Sequence, residues 1–137
     1  MDMPEPSVFT RILAGEIPGE VIYKDDQCFV ILTIDPLTPG HMLVVPLEEI
    51  DSLWDIETPL YHHLMDISKK MAKVIEKAYE YRRVGTAVEG FGVPHAHIHV
   101  FGLNEGINRT IVAHEANPHT ATPEELKIEA DKLRACL

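Results

Sequence analysis

Apolar residues recur along the chain with two different periods, and the changes of period divide it into elements. Ser7 precedes Phe9, Ile12 and Leu13, which fall on one face of a short helix that Ser7 can cap and Gly15 can end. Pro18-Gly19 marks a turn. Val21-Ile22-Tyr23 and Cys28 to Leu32 read as two short strands, with polar Lys24-Asp25-Asp26-Gln27 as a hairpin loop between them. After breaks at Pro36, Pro39 and Gly40, the run Met42-Leu43-Val44-Val45 is β-rich and stops at Pro46. The 3.6-residue period then takes over. Leu60, Leu64, Ile67, Met71, Val74, Ile75 and Ala78 share one face of a long helix, with Thr58 as candidate N-cap and Pro59 at its first position. Two further strands are expected at about Val84–Val88 and Ala96–Phe101, and a last helix from the capping-box pattern Thr122-Pro123-Glu124-Glu125, burying Leu126, Ala130 and Leu133. The segment from Leu103 to Ala121 is weakly patterned and reads as an extended arm. Strands, a helix and then more strands predict an α+β fold with an antiparallel sheet of about five strands, one long helix and shorter terminal helices.

Composition adds limits. A chain of 137 residues with 45% apolar and 25% charged residues fits one domain spanning 1–137 with a real core. No stretch approaches the roughly 18 apolar residues that a membrane span needs. The acidic start Met1-Asp2-Met3-Pro4-Glu5-Pro6 lacks the basic and apolar regions of a signal peptide, so a cytoplasmic location and no membrane partner are expected. A net charge of −10 argues against a nucleic-acid surface while leaving room for a small anion at one local site. Lys69, Lys70, Lys73, Lys77, Arg82 and Arg83 cluster around one helix end, where they complement its dipole. Cys28 reads as a core residue and Cys136 as a tail residue, too far apart to form a disulfide framework.

The chemistry concentrates in Pro94-His95-Ala96-His97-Ile98-His99-Val100-Phe101. In a strand, His95, His97 and His99 share one face, and Ala96, Ile98 and Val100 form an opposite apolar face that can cover the long helix. Three aligned imidazoles admit three uses. Two could share a metal, but neighbours along a strand are roughly 6.6 Å apart and the outer pair roughly 13 Å, too far for three bonds of about 2.0–2.1 Å. They could combine nucleophilic with acid–base catalysis, since imidazole titrates near neutrality. Or they could be structural, each hydrogen-bonded in a groove.

The sequence His95-Ala96-His97-Ile98-His99-Val100-Phe101 resembles the signature of the histidine triad (HIT) family, His-x-His-x-His followed by two apolar residues. Two more blocks agree in order and spacing: Phe9–Pro18, reading FTRILAGEIP, and Ile34–Pro46, reading IDPLTPGHMLVVP. The resemblance spans about residues 7–103, a core to which 104–137 would add a C-terminal arm and helix. It implies the HIT-like fold, a homodimer in which the apolar face of the long helix offers area to bury, and cleavage of a nucleoside monophosphate from a phosphoramidate or related leaving group. The expected ligand is a purine nucleotide or nucleoside phosphoramidate, with no cofactor. His97 would be the nucleophile, His99 the proton donor or phosphate contact, and His95 and His41 would complete the phosphate pocket. Phe9, Ile12, Ile31, Leu32, Thr33, Ile34 and Gly92 fall at nucleoside- or phosphate-contacting positions. The alternative on the same fold is a non-catalytic nucleotide-binding or scaffold protein.

The chain departs from the family pattern in three places. Thr33 stands where many members place an aspartate for the ribose hydroxyls. The loop Gly90-Phe91-Gly92-Val93-Pro94 is short and lacks the side chains that contact phosphate in many members, leaving the Gly92 amide as donor. Ser7, Thr10 and Glu49 replace the Cys-x-x-Cys and partner His by which some members bind zinc, so no metal is expected there. His62, His63, His114 and His119 have no matching role and read as solvated surface residues.

Overall fold

A computed structural model of the chain describes residues 5–105 and 120–137. His114, His119 and most of the expected extended arm lie outside the described residues. The elements run α1 (Val8–Leu13), β1 (Val21–Lys24), β2 (Cys28–Leu32), β3 (Met42–Pro46), a 3-10 turn (Leu53–Asp55), α2 (Thr58–Ala78), β4 (Arg83–Ala87), β5 (Ile98–Leu103) and α3 (Pro123–Arg134). The five strands form one antiparallel sheet in the order β1-β2-β3-β5-β4. This is the expected α+β architecture. Among the described residues, no helix is long and apolar enough to cross a membrane.

The central strands are covered on both sides, which is why β2 and β3 read as unbroken apolar runs; all ten of their residues are buried. One face carries Cys28, Val30, Leu32, Met42, Val44, Ala96, Ile98 and Val100, packed against Leu64, Ile67, Met71, Val74 and Ile75 of α2 and Leu126, Ala130 and Leu133 of α3. The other carries Phe29, Ile31, Leu43 and Val45, packed against Phe9 of α1. The apolar stripe of α2 is therefore covered by the chain's own sheet, which corrects its use as an area left for a dimer. Among the described residues, the sheet ends in two edge strands, β1 and β4.

Helix ends follow local chemistry. The Ser7 side chain accepts the Thr10 N–H at 3.2 Å and caps α1. At α3 the capping box closes in both directions between Thr122 and Glu125. The start of α2 differs from expectation. The Tyr61 N–H reaches the Glu57 carbonyl at 2.9 Å, so Glu57 is the N-cap, without a side-chain cap, and Thr58 is already helical.

The triad strand also starts later than expected, at Ile98 rather than Ala96. The register Val44↔Ile98 would set Ala96 opposite Pro46, which has no N–H to continue the ladder. The Ala96 N–H turns instead to the Ile50 carbonyl at 2.7 Å. The alternation of faces persists through this extended lead-in.

The loop between β2 and β3 is pinned from three directions. Thr38 Oγ1 donates to the Gly102 carbonyl at 2.6 Å, the Tyr81 hydroxyl donates to the Pro39 carbonyl at 2.7 Å, and the Gly40 N–H donates to buried Glu129 Oε1 at 2.8 Å. Gly40 has φ +89°, and a Cβ there would sit 2.6 Å from the Tyr79 ring. Gly40→Ala should therefore destabilise the protein by about 1–3 kcal/mol. Urea denaturation would check this, and an unchanged midpoint would mean that the loop is not held as described.

Candidate functional site

Three adjacent residues on neighbouring strands set the floor of a cavity. Ile31 pairs with Leu43 and Leu43 with His99, so all three project to the α1 face of the sheet. The cavity has a volume of about 300 Å³, near the lower end for a small-molecule site. Its walls include Phe9 and Ile12 of α1, Ile31 and Leu32 of β2, Thr33 and Ile34 beyond it, and Gly92 of the loop before the triad. Every nucleotide-contacting residue expected from the sequence therefore lines one space. Of the four expected catalytic histidines, His41, His97 and His99 line it and His95 does not. Val8, Asp35, Leu43, Glu89, Gly90, Phe91 and Val93 line it as well. Asp35 is not among the residues expected from the sequence, although it lies two positions beyond Thr33 in the Ile34–Pro46 block. Phe91, 91% exposed, stands at the mouth.

Hydrogen bonds fix the protonation pattern of the imidazoles. His97 Nδ1 lies 2.8 Å from the His95 carbonyl oxygen, which can only accept, so Nδ1 carries the proton and Nε2 keeps its lone pair. Burial pushes the His97 pKa below the ordinary imidazole value. The bond to the His95 carbonyl works against this, and the neighbouring His95 ring works with it. His97 is thus a neutral imidazole at neutral pH. Its ring packs edge-on against Phe9, with centroids 4.8 Å apart at 74°.

His41 and His99 have the opposite arrangement. The Leu37 N–H donates to His41 Nδ1 at 2.9 Å, so in the neutral ring Nε2 bears the hydrogen. His41 Nε2 lies 2.9 Å from His99 Nδ1 and donates to it, which leaves the proton of neutral His99 on Nε2. His97 and His99, with ring centroids 5.0 Å apart, are therefore fixed in opposite tautomers. One offers a lone pair and the other an N–H.

His95 is fully buried behind the cavity. Its Nε2 donates to the Pro46 carbonyl at 2.8 Å, and its Nδ1 accepts from the Ser7 hydroxyl at 2.6 Å. Glu49 Oε1 accepts from the Ser7 N–H and from Thr10 Oγ1, the latter at 2.9 Å, and lies 3.8 Å from His95 Nδ1. The Ser7 N–H bond is the main reason that the Glu49 carboxyl is held below its usual range. His95 thus meets the cavity through its carbonyl, by way of His97, and its ring belongs to a hydrogen-bonded cluster with Ser7, Thr10 and Glu49. His62 is exposed, as expected, whereas His63 is half-buried against Asp25 and is not a free surface residue.

The HIT-domain family model matches residues 14–106. The chain belongs to the HIT family. An uncharacterised HIT-like protein of Synechocystis is 31% identical over 106 residues, covering 73% of this chain and 92% of the relative. A HIT-like protein of Bartonella henselae described as involved in cell-cycle regulation superposes with a TM-score of 0.83 at 27% identity, each chain covered in full. A zinc-bound histidine triad family protein of Mycobacterium smegmatis shares the fold, with a TM-score of 0.77 at 24% identity over 94% of this chain and 91% of its own. The HIT fold is a nucleotide-binding one, and the cavity described above lies on its triad face.

The Ser7 cluster has a measurable weight. Ser7→Ala removes the cap of α1 and orphans a buried imidazole nitrogen. The expected loss is about 2–4 kcal/mol. Chemical denaturation checks it; a loss under about 0.5 kcal/mol would place the His95 ring in contact with water instead.

Proposed function

We propose that this HIT protein is a nucleotidyl hydrolase that releases a nucleoside monophosphate from a phosphoramidate or related leaving group by way of a nucleotidyl-His97 intermediate. The observation that supports this reading is the pair of opposite tautomers in one cavity. His97 Nε2 attacks the α-phosphorus and forms a P–N bond as the bond to the leaving amine breaks. The His99 Nε2–H donates a hydrogen bond to the departing amine, which takes up its proton from solvent as it leaves. In the second half, water attacks the phosphorus and gives its proton to solvent, and the P–N bond to His97 breaks. The residues end as they began.

Apolar Phe9, Ile12, Ile31 and Ile34 would sandwich the base. Asp35 also lines the cavity, and its N–H donates to Thr33 Oγ1 at 3.2 Å. We assign it the ribose hydroxyls, in place of the aspartate that Thr33 replaces. With only backbone donors in the loop before the triad, each missing hydrogen bond to phosphate weakens nucleotide binding by about 1.5–3 kcal/mol. The family's N-terminal zinc site does not fit this chain. Ser7 and Thr10 supply hydroxyls already engaged with His95 and Glu49 rather than thiolates, and no step above uses a metal. A homodimer would be built at a sheet edge, β1 or β4, since pairing there hides exposed backbone groups.

His97→Ala should lower kcat for an adenosine phosphoramidate by on the order of 10⁴-fold, with a far smaller change in nucleotide affinity. Wild-type enzyme quenched during turnover should show an adenylyl adduct on the peptide carrying His97. Full turnover by His97→Ala would end this mechanism. A wild-type protein that binds AMP but never turns over would favour the scaffold alternative.

A further inference from the structure

On the α2 side of the sheet, three residues outside the proposed reaction converge. Asp25 lies in the β1–β2 turn, Cys28 opens β2, and His63 lies on α2. None of them lines the triad cavity. One potential ligand atom from each, a carboxylate oxygen, the thiol sulfur and an imidazole nitrogen, all lie within 4.8 Å of one another. His63 Nε2 is 2.6 Å and Cys28 Sγ 3.7 Å from the same oxygen, Asp25 Oδ2. We propose that Asp25 Oδ2, Cys28 Sγ and His63 Nε2 form a binding site for a borderline-soft divalent cation, zinc foremost, with water as fourth ligand.

The donor set matches the chemistry. A mixed oxygen, sulfur and nitrogen triad suits zinc rather than magnesium or calcium. One carboxylate and one thiolate neutralise a divalent charge, and the imidazole binds as a neutral ligand. Binding displaces the Cys28 thiol proton to solvent and shifts the His63 proton from Nε2 to Nδ1, so one proton leaves per cation.

The geometry is close to what such a cation needs. With bonds of about 2.0–2.3 Å, tetrahedral ligand atoms sit roughly 3.3–3.7 Å apart. The Cys28–Asp25 separation already matches, and the His63–Asp25 contact has to open by under about 1 Å. His63, with its side chain 26% exposed, has room to turn, and Asp25, 18% exposed, leaves a path for entry. The carboxylate is aimed in advance. Asp25 Oδ1 accepts the N–H groups of Gln27 and Cys28, both at 2.8 Å, and the Tyr23 hydroxyl donates to Oδ2 at 2.8 Å as an outer partner. Burial acts to raise the Asp25 carboxyl, but these three donors together with His63 outweigh it and hold the group below the usual range. The competing account is a hydrogen-bonded clip that fastens the hairpin to α2 and takes no cation.

The full-length protein, stripped with chelator, is titrated with zinc chloride by calorimetry and with cobalt chloride by absorption. The expected results are about one zinc per chain, a thiolate-to-cobalt charge-transfer band, and a zinc-dependent rise in Tm. Cys28→Ala should abolish the band, and Cys136→Ser should keep it. His63→Gln keeps a donor for Asp25 but should weaken zinc binding by more than roughly a hundredfold, beyond the loss of an outer partner, and should lose the rise in Tm. His97→Asn should leave zinc affinity unchanged, which separates this site from the triad and its test from that of the reaction. No zinc uptake, a band that survives Cys28→Ala, or wild-type affinity in His63→Gln would each overturn the proposal in favour of the clip.

Discussion

A neutral imidazole has one proton for two nitrogens, and backbone groups of this protein decide which nitrogen holds it. The His95 carbonyl takes the proton side of His97, and the Leu37 amide takes the acceptor side of His41. His41 passes the choice on to His99. Both directing groups are main-chain atoms, so the tautomers are as rigid as the fold. On the proposed mechanism, this is what would make three similar side chains a nucleophile, a donor and a support. Burial of His97 reinforces the division by keeping its ring uncharged.

The rest of the structure serves to place those main-chain groups. His95 is fixed between the Pro46 carbonyl and Ser7, so its own carbonyl cannot swing away from His97. The Leu37 amide sits in a loop held to β5 through Thr38 and to α3 through Gly40 and Glu129. The C-terminal helix thereby reaches the site through one buried carboxylate. The sheet does the remaining work. Its α2 face takes the apolar half of the triad segment, which leaves the histidines no alternative but the α1 face.

The sequence carried the alternation at 95–100 and the three collinear motifs, and from these the architecture, the triad face and the apolar cavity walls were all legible. Interactions between distant positions were not. That His95 has its ring behind the cavity depends on Ser7 and Pro46, which lie 88 and 49 residues away. The burial of Glu129 is not announced by anything local, because the group it accepts from is a glycine amide 89 residues earlier. His63 looked solvated for the same reason, its partner being a turn residue on another element. The strand start moved from Ala96 to Ile98 because a proline sits across the ladder, a fact of register that no single-strand pattern contains. Local periodicity fixes faces; register and long-range hydrogen bonds fix roles.

The central claim is the opposite tautomers of His97 and His99, and nitrogen-15 NMR of histidine-labelled protein reads them directly. At neutral pH, with assignment by single His→Gln variants, His97 should show a protonated Nδ1 and a bare Nε2, and His99 the reverse. Finding His97 protonated on Nε2, or as an imidazolium at pH 7, would contradict the account, because no lone pair would then be left to attack phosphorus.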